Sequence, residues 1–60
     1  MWEMQVKING EWISIKASHL KEPYRYKTED EARHMLYICY PLLTYGEQKR
    51  VVFKGDIENL

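Results

Sequence analysis

Trp2-Glu3-Met4-Gln5-Val6-Lys7-Ile8-Asn9-Gly10-Glu11-Trp12-Ile13-Ser14-Ile15-Lys16-Ala17 is the stretch whose reading decides the fold. Trp2, Met4, Val6 and Ile8 alternate with Glu3, Gln5 and Lys7, which is the period of a half-buried strand. Asn9-Gly10 then supplies the dipeptide that best tolerates two positive φ angles in a tight type I′ turn. Alternation resumes from Glu11, with Ile13, Ile15 and Ala17 on one face. A two-residue loop pairs Ile8 with Glu11, Lys7 with Trp12, Val6 with Ile13, Gln5 with Ser14, Met4 with Ile15, Glu3 with Lys16 and Trp2 with Ala17. Apart from Glu11 beside the turn, every residue on the first face is then apolar. The other face gains an opposite-charge pair and a polar pair. Slipping the register by one residue would destroy both patterns.

Moving outward, Ser18 to Pro23 reads as a polar connection, and Tyr24-Arg25-Tyr26-Lys27 as a short third strand. Thr28 is then positioned to cap a helix, with Glu31 able to reach back to the Thr28 amide in a capping box. Glu29, Asp30 and Glu31 place negative charge where the helix dipole favours it. Pro41 disfavours helical geometry at Tyr40, so the predicted helix runs from about Glu29 to Tyr40. Its apolar stripe is Ala32, Met35, Leu36 and Cys39, and Glu29 with Arg33 forms an i,i+4 ion pair. Leu42 to Gln48 reads as a loop turning at Tyr45-Gly46. A last strand, Lys49 to Lys54, presents Val51 and Phe53 on one face and Arg50, Val52 and Lys54 on the other. Gly55 to Leu60 is expected to fray. The expected fold is α+β: a small, mostly antiparallel sheet of three or four strands with one helix packed on one face, in the order β-β-(β)-α-β. The last strand is expected to return beside the first.

Sixty residues make a single domain, 1–60. A chain of this length buries only about 60% of the surface its unfolded form exposes. Cys39 is the sole cysteine, which excludes an internal disulfide, and one cysteine with two separated histidines does not make a structural zinc site. Oligomerisation is the remaining way to add stability, and a homodimer is the expectation, against a well-idealised monomer. Nine basic residues balance nine acidic ones, which argues against non-specific nucleic-acid binding. There is no long apolar run and no signal-peptide pattern. With a free thiol as well, a complete small gene product of the cytoplasm is expected.

Candidate functional residues fall into two groups. Trp12 lies on the sheet face away from the helix, among Lys7, Ser14 and Lys16; it is either an interface residue or a ring covering the lysine stems by cation–π contact. Tyr37 lies off the apolar stripe, near Arg33 and on the side of Tyr40, as a hot spot for a partner or as a ring lying on Pro41. Lys7, Lys16, Arg25 and Lys27 with Trp12 could instead make phosphate contacts and stack bases. His34 and Cys39 are separated by about 140° on the helical wheel and cannot act together. Cys39 is expected to be a small core residue, and His19 to be solvated. No phosphate loop, carboxylate dyad, serine triad or metal cluster is present, so an enzyme, a metal and a cofactor are not expected.

Tyr26-Lys27-Thr28-Glu29-Asp30-Glu31-Ala32 resembles the strand-to-helix join of arm-type DNA-binding domains of phage integrases. Those domains also open on a Trp-bearing strand and a glycine-containing hairpin, and the resemblance spans about residues 1–40. It implies DNA binding. The chain departs from that family in lacking its basic character and in adding a strand after the helix. As a whole, from Trp2 to Cys39-Tyr40-Pro41, the chain is also similar in style to small stand-alone proteins of bacteriophages. That likeness implies a non-enzymatic accessory protein that binds and inhibits a host protein, including host defence proteins. Nucleic-acid binding through the sheet face and sequestration of a nucleotide signal are the alternatives.

Overall fold

The computed structural model describes residues 1–55 and is an α+β domain. Its elements are β1 (Trp2–Ile8), β2 (Glu11–Ser14), α1 (Glu29–Cys39) and β3 (Lys49–Phe53). The sheet is antiparallel throughout with order β2-β1-β3, so the first strand is central. Asn9 and Gly10 both have positive φ, 51° and 83°, as a type I′ turn demands. The expected hairpin register holds for Ile8–Glu11, Lys7–Trp12, Val6–Ile13 and Gln5–Ser14. On the far side of β1, Met4 faces Val51, Gln5 faces Arg50 and Val6 faces Lys49.

Beyond Ser14 the outcome differs from the expectation. The Ile15 amide still donates to the Met4 carbonyl at 2.9 Å, but the chain then leaves the sheet. Trp2 pairs with Tyr26 rather than Ala17, through amide-to-carbonyl bonds of 2.7 and 2.8 Å. The expected third strand, Tyr24 to Lys27, is therefore a single bridge occupying the place where β2 would have continued. The Glu3–Lys16 pair does not form: Lys16 donates to the Leu20 carbonyl at 3.1 Å, and Glu3 takes Arg25 instead.

The helix starts as its cap dictates. Thr28 is extended (φ −123°, ψ 155°), and its hydroxyl accepts the Glu31 amide at 3.2 Å. The reciprocal contact is a 3.4 Å bond from the Thr28 hydroxyl to the Glu31 carboxylate, not the expected one to the Thr28 amide. Replacing Thr28 by Ala is expected to cost about 1 kcal/mol, read as a lower urea midpoint with unchanged slope.

Met4 and Val6 meet Ala32 and Leu36 to form the buried core, flanked by Trp2, Ile15, Tyr26, Met35, Leu43 and Val51. Cys39, expected in this core, is exposed. Its wheel angle is right, but it is the last helical residue. Under that turn the sheet presents Lys49, the partner of Val6, whose ammonium donates to the Tyr40 carbonyl. Cys39 itself lies on the flank of the helix near Tyr26, at the end of the last turn and away from the Tyr37–Lys49 side, beyond the residues that the core covers. Tyr40 is the C-cap rather than a helical residue. The helix packs on β1 and β3 but not on β2. No helix among the described residues is long and apolar enough to cross a membrane. The tail expected to fray lies, apart from Gly55, outside the described residues.

Candidate functional site

Two surfaces collect the residues singled out from the sequence. The first is the sheet face away from the helix, where Trp12 lies as its register requires, half-buried. The Lys7 ammonium stands 5.5 Å from the centre of its ring and the Arg50 guanidinium 4.1 Å. Lys16 takes no such place. The cations on Trp12 are thus Lys7 and Arg50, a residue that acquired its position only once β3 was set against β1.

Behind Trp12 runs a chain of hydrogen bonds. Arg50 Nε donates to Gln5 Oε1 at 2.8 Å, Gln5 Nε2 to Ser14 Oγ at 3.2 Å, and Ser14 Oγ to Glu3 Oε1 at 3.2 Å. Arg25 closes the far end, its Nε 3.4 Å from Glu3 Oε2 and its Nη1 3.1 Å from Glu22 Oε2. Gln5 and Glu3 are buried, with Glu3 only 5% exposed, yet each is fully partnered. Buried polar groups that all find partners rigidify the element carrying them. The Ser14 side chain, placed by its register among the interface candidates, is consequently an internal relay, and Arg25 is committed to two carboxylates. Lys27 is exposed and distant in role from this ribbon. Of the four residues considered for phosphate contacts, Lys7 stands on Trp12, Lys16 bonds the Leu20 carbonyl and Arg25 bonds Glu3 and Glu22.

The second surface lies where α1 ends over β3. Arg33 stacks its guanidinium 4.5 Å from the centre of the Tyr45 ring while its Nε reaches Glu29 at 4.0 Å. One turn on, Tyr37 covers the Lys49 ammonium at 5.2 Å, and the same ammonium donates to the Tyr40 carbonyl at 2.7 Å. Lys49 is 4% exposed, a cation drawn under the helix C-terminus where the last turn contains no basic residue of its own. Gly46, with φ 94°, turns the loop so that its amide reaches the Lys49 carbonyl at 2.7 Å, holding Tyr45 beside the helix. Tyr37 remains 66% exposed, and Tyr40 and Tyr45 are also at the surface. Of the residues grouped by the wheel, Tyr37 and Tyr40 share the Lys49 ammonium, and Arg33 stacks on Tyr45.

Lys49 and Tyr45 were not anticipated here. Lys49 did leave a signal: it shares parity with Val51 and Phe53, so a charged residue had to stand on the core face and seek a partner there.

Elsewhere, Tyr26 has its hydroxyl pKa raised from 10.0, first by burial and then by neighbouring Cys39, Tyr24 and Glu31. It therefore stays neutral and packs as a ring. Among the described residues no three of His, Cys, Asp and Glu come together to hold a metal ion. No family model matches the sequence, and comparison with curated proteins and with solved structures finds no match.

Proposed function

We propose that the protein is a non-enzymatic accessory protein of the phage type, binding a host protein stoichiometrically and inhibiting it, with the tyrosine cluster at the end of α1 as its contact surface. The observation carrying this reading is that Tyr37 is widely exposed while its ring is pinned over Lys49, beside an Arg33–Tyr45 stack. Tyrosine, tryptophan and arginine are enriched at binding hot spots, and a tyrosine offers a large contact area with only two torsions to freeze. Holding them in place before encounter lowers the ordering cost of association. Trp12 fits a contact role less well, since it is half-buried whereas Tyr37 is widely exposed.

The test is affinity capture from host lysate followed by titration of the captured protein. Tyr37→Ala should weaken that binding by a factor of about 30 or more, a hot-spot loss of about 2 kcal/mol or more, and should lower stability by about 0.5–2 kcal/mol through loss of the ring over Lys49. Tyr37→Phe should retain most of the affinity. Equal binding by wild type and Tyr37→Ala would remove the cluster from the interface.

A second reading, nucleic-acid binding, draws on Lys7 and Arg50 beside Trp12. It requires affinity for DNA that falls steeply with salt; no DNA binding at low salt excludes it.

A further inference from the structure

We infer that the protein pairs with a second copy of itself through the outer edge of β2, antiparallel, about a twofold axis at Ile13. The inference does not depend on which host protein is bound. The Ile15 amide bonds inward to Met4. By the alternation of an antiparallel ladder, Ile13 and Glu11 also point their backbone groups inward, whereas Trp12 and Ser14 point theirs outward. Among the described residues nothing bonds those outward groups. An open edge of this kind is a template for another strand.

The helix-side face of the same strand is unfinished as well. Because α1 packs on β1 and β3 only, Ile13 is 44% and Ile8 52% exposed, although both stand on the core side of the sheet. The occupant must therefore offer a strand with outward backbone groups, an apolar residue on the helix side and a small or polar one on the other side. Another β2 has that pattern. Pairing Trp12 of one copy with Ser14 of the other closes the outward groups of both strands. It also sets Ile13 against Ile13 across the axis in a non-hydrogen-bonded pair, where side chains approach most closely.

Charge does not oppose this pairing. A net charge of zero leaves no general repulsion between copies. The other free edge, on β3, is engaged at Lys49, whose amide and carbonyl bond Thr44 and Gly46, and keeps Val51 and Phe53 outward.

The register makes the test specific. At a non-hydrogen-bonded pair the Cα atoms lie about 4.5 Å apart, inside the range of roughly 4.4–6.8 Å that a disulfide accepts. In a Cys39→Ser background, Ile13→Cys should oxidise to a covalent dimer, whereas Ser14→Cys and Val52→Cys should stay largely unlinked. Wild type should show a concentration-dependent dimer mass by light scattering. Ile13→Lys, placing two like charges at the axis, should weaken that dimer at least about 100-fold with an unchanged far-UV spectrum. Monomeric wild type at several hundred micromolar overturns the proposal, as does a dimer in which Ile13→Cys fails to link. Preferred linking through Ser14→Cys or Val52→Cys assigns another register or edge and overturns it equally. Should Ile13→Lys fail to fold, the cysteine variants still decide.

Discussion

Leu36→Ala is expected to remove about half or more of the domain's stability at 25 °C. Leu36 is fully buried at the centre of a core whose other buried apolar members are Met4, Val6 and Ala32. Truncating a buried leucine costs about 2–5 kcal/mol, the spread reflecting how far the site can collapse around the cavity. A domain of this length has a total stability of roughly 3–9 kcal/mol at typical per-residue values. The loss is therefore about half of the whole or more. Urea unfolding followed by tryptophan fluorescence would read it, since Trp2 packs on this core. Cys39→Ala is the companion measurement, because it separates the helical wheel from the actual packing. An exposed position predicts a change within about 0.5 kcal/mol, whereas a core position would cost considerably more. A large loss for Cys39→Ala, or a small one for Leu36→Ala, would mean that α1 is seated differently.

Lys49→Ala should cost about 2–4 kcal/mol, an unusual amount for removing a lysine. Three contributions meet at its ammonium: a hydrogen bond from a charged donor to the Tyr40 carbonyl, the Tyr37 ring, and the negative end of the helix dipole. Its stem also fills the core face opposite Val6. Lys49→Met keeps the stem and gives up the charge, so it should recover about half of the loss. Hydrogen exchange at the Tyr40 amide, which bonds the Leu36 carbonyl, should accelerate in both variants as the last turn frays. Equal stability of Lys49→Ala and wild type would show that the ammonium remains in water.

The sequence made most of this fold legible, for identifiable reasons. The hairpin was readable because alternation and the Asn9-Gly10 turn each specify the same register. The start of α1 was readable because capping is local: Thr28 and Glu31 need no knowledge of the rest of the chain. Two features were not local. Whether β2 continued past Ser14 depended on competition between Ala17 and Tyr26 for Trp2, two segments with similar local claims. The exposure of Cys39 depended on how far the core reaches along the helix, which is set by where the sheet and the Tyr26 bridge come to lie.

The candidate site divides in the same way. Tyr37, Arg33 and Tyr40 could be grouped from helical spacing alone. Their anchors, Lys49 and Tyr45, come from a strand and loop whose placement needs the long-range pairing. Ser14 was located correctly on its face, but its relay between Gln5 and Glu3 required Arg25 and Arg50 to arrive from distant parts of the chain.

Strand order also governs how this domain is made. Its central strand is translated before its second neighbour: β1 leaves the ribosome with β2 close behind, but Met4 waits for Val51 and Trp2 for Phe53. Until then one whole edge of β1 is unpaired, and a nascent hairpin in that condition is open to foreign strands. Closing the sheet therefore waits until almost all of residues 1–55 have been synthesised, and the cost of bringing such distant partners together falls on the folding rate more than on final stability. A stop codon between Tyr40 and Lys49 would not yield a slightly shorter domain. It would yield a hairpin and a helix without the strand on which both depend.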